Sequence, residues 1–164
     1  MPNFFDPATD ALAFRHALGA FGTGVTVVTV ATPEGPVGIT ANSFASVSLD
    51  PPLVLWSPAK SSRRFNMFHG APHFAIHVLG ADQRDIAAGF TRPSDGFDGL
   101  DWARSTEGTP LIEGCLARFE CALHAAHDGG DHEIIVGRVL RVSTGDGAPL
   151  IFQGGRYGGF NDGL

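Results

Sequence analysis

Lysine is almost missing from this chain, with Lys60 its one example, and the remaining cations are arginines. Eleven Lys and Arg stand against seventeen Asp and Glu, a formal charge of −6. No broad basic surface exists to neutralise a phosphate backbone, which argues against nucleic acid as a partner. Long apolar runs are missing too. The most apolar stretch, Val25 to Ala31, is interrupted by threonine and is far shorter than the roughly 20 residues a membrane helix needs. Asp6, Asp10 and Arg15 break up the N-terminus, so we expect no signal peptide, no membrane span and a soluble, cytoplasmic protein. Cysteine is scarce: Cys115 and Cys121 lie six apart in an alternating segment, too far for an unstrained disulfide, and are expected to be buried free thiols. A glycine-rich dinucleotide fingerprint after a strand, a P-loop and a nucleophile elbow are all lacking, which disfavours a Rossmann unit, NTP hydrolysis and serine catalysis.

What is present suits one compact domain. The 164 residues are 43% hydrophobic and 17% charged, ample to fill a core, and we expect a single domain over 1–164 with its core at about 11–160. Thr9 to Phe21 has apolar residues at helical spacing, with Thr9 or Asp10 as N-cap. Val25 to Ala31 reads as a strand, Pro33 to Pro36 as a turn, and Val37 to Leu49 as its hairpin partner. A strand over Leu53 to Trp56, a helix over Ser62 to His69 closed by Gly70, and a strand over Phe74 to Val78 follow. Asp82 is expected to cap a short helix through Phe90, and Thr91 to Gly108 to be a loop with little regular structure. Cys115 to Ala126 and Glu133 to Val142 read as a hairpin across Gly129-Gly130-Asp131. A last strand spans Pro149 to Gln153, ahead of a glycine-rich tail. Strands joined mostly by turns argue for a mainly antiparallel β-barrel with peripheral helices and against a doubly wound parallel sheet.

Three places carry candidate chemistry. Alternation from Ile39 to Leu49 puts Thr40, Asn42, Ser46 and Ser48 on one face, a neutral row of donors and acceptors suited to a flat heteroaromatic ligand, although on pattern alone a solvated strand face is the commoner reading. Ser57-Pro58-Ala59-Lys60-Ser61-Ser62-Arg63-Arg64 sets hydroxyls and cations at an expected helix start, an anion site in outline. His132, at a strand start after glycines, and Tyr157, the one tyrosine, among glycines, can each face a ligand; the alternatives are a surface turn histidine and a flexible tail. His69, His73 and His77 tempt a metal reading. Gly70 and Pro72 break any helix that would join them, and no metal site is expected.

GITANSFASVSLDPPLVLWSPAKSSRRF, GFTRPSDGFDGLDW, GDHEIIVGRV and PLIFQGGRYGGF together resemble the short-chain NAD(P)H:flavin oxidoreductases, reductase components of two-component flavin monooxygenases. The resemblance runs from about Phe14 to Phe160. It implies a split β-barrel of the FMN-binding type, a homodimer, and FMN or FAD in a groove near the subunit interface. It further implies that Thr40, Ala41, Asn42 and Ser43 border the flavin ring, with Phe90 near it. Ser57, Lys60, Ser61, Ser62 and Arg63 would hold the phosphate. His132 and Tyr157 would position the nicotinamide of NADH or NADPH for hydride transfer, and reduced flavin would pass to a monooxygenase. The alternative is a non-enzymatic flavin- or haem-binding split-barrel protein.

Overall fold

The computed structural model describes residues 4–92 and 96–163. Its main element is a seven-stranded antiparallel sheet. In spatial order its strands are β3 (Gly35–Ala41), β2 (Thr26–Thr32), β6 (His73–Val78), β9 (Ala117–Gly129), β10 (His132–Thr144), β5 (Pro52–Trp56) and β4 (Ala45–Leu49). A three-stranded sheet joins β1 (Thr23–Gly24), β11 (Leu150–Gln153) and β12 (Arg156–Gly159), and β7 (Trp102–Arg104) pairs with β8 (Pro110–Ile112). The helices are α1 (Ala11–Gly19), α2 (Phe65–Phe68) and α3 (Arg84–Gly89), the last preceded by a 3₁₀ turn at Ala81–Gln83.

The core explains the curl of the sheet. Val28 and Val30 of β2, Phe74 and Ile76 of β6, Cys121 of β9, Ile135 of β10 and Val54 and Trp56 of β5 all bury into one cluster, closed by Phe68 of α2. Five neighbouring strands that face one another across a shared core make a curled, split barrel. The odd positions of the same apolar stretch, Val25 and Val27, enter a second cluster with Leu79, Ala87, Phe90, Ile112 and Leu150. Strand alternation thus feeds two cores, and Val25 to Val30 is buried on both faces.

Several expectations are met closely. Asp10 caps α1, its carboxylate accepting from the Ala13 amide at 2.9 Å. The β9–β10 hairpin turns where the glycines stand, with His132 opposite Gly129. Cys121 is buried and Cys115 half-buried, both as free thiols, and burial pushes them up to about 12 and about 11.

Other expectations fail for identifiable reasons. Val37 to Leu49 is not one strand: β3 ends at Ala41, and the chain crosses to the far edge of the sheet, where β4 pairs with β5. Thr40 and Asn42 therefore share no strand face with Ser46 and Ser48. The helix expected over Ser62 to His69 shrinks to one turn, α2, because Ala59 to Arg64 is spent in tight turns, with Ser62 N–H bonded to Ala59 O and Phe65 N–H to Ser62 O. Asp82 caps nothing; Gln83 does that work, its side-chain oxygen accepting from the Gly80 amide at 2.9 Å. The expected loop from Thr91 to Gly108 contains β7, although its residues 93–95 lie outside those described. The tail is a strand: Gly154 and Gly155, at φ +56° and +78°, form a two-residue turn that folds β12 back on β11. Cys115 precedes β9, so the two thiols share no strand.

Candidate functional site

The chain's crossing from β3 to β4 lies between the two edges of the sheet, and it carries the Ala41-Asn42-Ser43-Phe44 segment. Phe44 anchors it, packing on the barrel core and stacking on Phe119 with ring centroids 5.4 Å apart. Ser43 ties it to the next motif: its hydroxyl accepts from the Ser57 amide at 2.9 Å and donates to the Ser57 carbonyl at 3.3 Å. Two sequence motifs fourteen residues apart thereby become one wall. The hydroxyl at Ser43 is consumed in building the wall.

The polar groups divide into committed and free. Thr40 donates to the Ala87 carbonyl at 2.6 Å, fixing β3 to α3. Ser62 accepts from the Arg64 amide at 3.2 Å. Lys60 donates to the Gly130 carbonyl at 2.7 Å and pairs with the Asp128 carboxylate, which that ammonium lowers below the usual carboxylate range. Among the described residues, Asn42, Ser57, Ser61, Ser62 and Arg63 donate no side-chain hydrogen bond within the chain. Those five supply one amide, three hydroxyls and a guanidinium along a single turn-rich path. Such a set fits a ligand with a polar heteroaromatic ring and a phosphate. The helix start expected to hold the phosphate is absent, since α2 is a single turn beginning at Phe65.

Arg64, one of the cations in the expected anion site, turns inward instead. Its guanidinium donates to the carbonyls of Gly38 at 2.7 Å and Phe90 at 2.8 Å, and reaches Thr91 O at 3.3 Å. Partial burial lowers its pKa from the usual arginine value. The brace pins the 57–64 loop to β3 and to the end of α3. Adjacent arginines look alike in sequence; which one turns inward is set by the turn at Ser62. Phe90 itself is buried, with its ring against Gly38 and Gly96, where an added Cβ would come within 2.5 Å. Its face also lines a hollow of about 390 Å³ with Arg64, Phe97 and Trp102, rimmed by Glu34 and Asp98.

Tyr157 and His132 border different segments of this wall. Tyr157 lies opposite Phe152 in the β11–β12 hairpin, with ring centroids 5.4 Å apart and the Arg84 guanidinium 5.5 Å over its ring. It lines a pocket of about 180 Å³ with Thr40, Ala41, Asn42, Val25, Thr91 and Phe152. Periodicity alone could not have joined Val25, Phe152 and Tyr157, because they meet through strand pairing of distant segments. His132 opens β10 beside the 57–62 loop, bridged to Ala59. Its Nδ1 lies 2.7 Å from Asp131 Oδ1, and this contact lowers the Asp131 pKa. With Nδ1–H donating to Asp131, Nε2 is left for a ligand.

Two of the three spaced histidines take separate structural roles. His77 is fully buried, its Nδ1 2.9 Å from the Val27 carbonyl and its Nε2 accepting from the Ile112 amide at 3.0 Å. Desolvation is the main cause holding it down at about 4, so it is neutral and fills the core. His69 instead reaches Glu133 at 2.9 and 3.1 Å. Among the described residues no three His, Cys, Asp or Glu side chains are grouped to hold a metal ion.

A split antiparallel barrel whose edge strands are joined by a tethered polar segment, beside a loop of free hydroxyls and one free guanidinium, defines a cofactor-binding domain of the split-barrel class. The flavin reductase like domain model matches residues 18–161, and the chain belongs to that family. It is 62% identical over 164 residues to FMN reductase (NADH) SmoA of Agrobacterium fabrum, covering 98% of this chain and 94% of the relative. It is 42% identical to the flavin-dependent monooxygenase reductase subunit HsaB of Rhodococcus jostii, over 93% of this chain and 79% of that one. The NADH:FAD oxidoreductase SgcE6 of Streptomyces globisporus superposes with a TM-score of 0.92 over all of both chains, at 41% identity, and has also been solved with NAD and FAD fragments.

Proposed function

We propose that this oxidoreductase of the flavin reductase family moves a hydride from NADH or NADPH to FMN or FAD and passes the reduced flavin to a partner monooxygenase. The observation that carries the reading is the Ser43–Ser57 tether. It brings the Thr40–Ser43 segment, beside the Tyr157 pocket, onto one surface with the 57–63 loop and its uncommitted donors.

A bound flavin would supply the hydride-accepting N5, and a bound nicotinamide the hydride at C4, with negative charge developing toward the flavin's pyrimidine end. The chain's part is to hold the two rings at about 3–3.5 Å and to favour that charge. Asn42, on the segment held by Phe44 and Ser43, is the free side-chain donor for the ring. Ser57, Ser61, Ser62 and Arg63 carry the free donors for phosphate. Thr40 spends its hydroxyl proton on the wall, and Lys60 spends two of its three donors on the β9–β10 hairpin. Nε2 of His132 would be the group available to a nicotinamide carboxamide, and the Tyr157 ring would give the rings an apolar wall.

Val47 and Leu49 on edge strand β4, with Leu140 and Val142 on β10, leave apolar side chains exposed. They support a homodimer whose partner covers them. Among the described residues no helix is long and apolar enough to cross a membrane, and two free thiols suit the reducing cytoplasm, where we place the protein.

The test is oxidation of NADH and of NADPH by purified protein in air, with FMN, FAD or riboflavin added in excess. Turnover that requires added flavin supports a reductase. Bound flavin without turnover with any pair supports the passive binder and removes His132 and Tyr157 from the reaction.

A further inference from the structure

Lys60 lies in the loop assigned above to phosphate, yet its contacts point elsewhere. Two of its three ammonium donors are used on the tip of the β9–β10 hairpin, one on the Gly130 carbonyl at 2.7 Å and one on the Asp128 carboxylate. The backbone repeats the connection: Lys60 N–H donates to Asp131 O at 2.9 Å, Glu133 N–H donates to Pro58 O at 3.1 Å, and Ala59 bridges His132. The hairpin tip is otherwise solvent-exposed from Ala126 to Asp131. On its remaining flank, Glu133 is held by His69.

We propose that Lys60 is a positioning residue that latches the Asp128–His132 hairpin tip to the 57–62 loop, so that the nicotinamide side of the site keeps its geometry through the loop that holds the flavin. The proposal rests on the reductase reading and deepens it. The third ammonium donor has no partner among the described residues, so a phosphate seated on the loop can share Lys60 with Gly130 and Asp128. Seating the phosphate then stiffens the placement of His132. A lysine serving only as a phosphate ligand makes no such connection.

Riboflavin, which has no phosphate, separates the two roles. Wild type, Lys60→Met, Lys60→Arg and Asp128→Asn are compared in NADH saturation curves with riboflavin and then FMN as acceptor, alongside flavin affinities from fluorescence quenching. The latch predicts that Lys60→Met and Asp128→Asn each raise the KM for NADH roughly tenfold even with riboflavin, about one charge-assisted hydrogen bond, with kcat changed by about twofold at most. Lys60→Arg recovers most of the loss. Asp128→Asn leaves the riboflavin affinity unchanged. If Lys60→Met weakens only FMN binding and the riboflavin curves overlay wild type, Lys60 is a phosphate ligand and the latch is wrong. Should Lys60→Met fail to fold, Asp128→Asn, which keeps the lysine, carries the same test. Absence of turnover in wild type contradicts the reductase reading and not the latch. The latch is then read from hydrogen exchange at the Lys60 and Glu133 amides, which both variants speed if it exists and leave unchanged if it does not.

Discussion

His132 keeps one ring nitrogen for a ligand because Asp131 occupies the other. His132→Ala therefore raises the KM for the nicotinamide while the flavin dissociation constant stays within about twofold; saturation curves paired with flavin fluorescence titrations read both, and unchanged kinetics remove His132 from the site. The neighbouring arginines are expected to part company. Arg64→Met loses hydrogen bonds to the carbonyls of Gly38 and Phe90 and lowers stability by about 2 kcal/mol, whereas Arg63→Met leaves the denaturation midpoint unchanged and weakens FMN more than riboflavin. His77 makes the fold acid-sensitive. Its ring titrates at about 4 when folded and near 6.5 when free, so from pH 6.5 down to 4 the unfolded chain takes up a proton that the folded one refuses. Stability thus falls with pH across that window, by on the order of 3 kcal/mol. Urea titrations of wild type and His77→Gln check this: the variant is less stable at pH 7 and loses that share of the slope.

Among the elements, the β11–β12 hairpin departs most usefully from expectation. A glycine-rich tail reads as flexible, yet the glycines at 154 and 155 occupy the left-handed region that a two-residue turn requires. Ala at either position is expected to cost about 1–2 kcal/mol and to raise the KM for the nicotinamide through Tyr157. Thermal melts together with NADH curves test this, and silence in both would restore the flexible tail. Apolar alternation made β2, β6 and the β9–β10 hairpin legible, because each buries a face and turns at a marked residue. The crossing after Ala41 was not legible, since alternation continues through it by coincidence; a strand swap between edges is a tertiary choice. The helix at 62–69 failed for a related reason. Its residues are permissible in a helix, but the backbone groups of Pro58, Lys60 and Ser62 are used on the β10 hairpin and in turns.

Across the whole molecule, the split barrel gathers on one wall residues from β3, the 57–62 loop and the β11–β12 hairpin, and the tip of β9–β10 joins the far end of that loop. The antiparallel barrel was legible from strand count and turn spacing, and the family from four short motifs. The division of labour inside those motifs was not. Thr40, Ser43 and Lys60 look like ligand groups in sequence, and only pairing between distant segments shows that their polar atoms hold the wall together. The exposure of the apolar Val47, Leu49, Leu140 and Val142 was equally hidden, because they read in sequence as ordinary strand residues. The central claim is that this wall aligns a nicotinamide with a flavin for direct hydride transfer. Anaerobic mixing of the protein, one equivalent of FMN and one equivalent of NADH, followed at the oxidised-flavin absorbance, tests it most directly. The account predicts stoichiometric bleaching of flavin with matching loss of NADH, much faster than without protein and slowed at subsaturating NADH by His132→Ala. Flavin that binds but bleaches no faster than free FMN would contradict it.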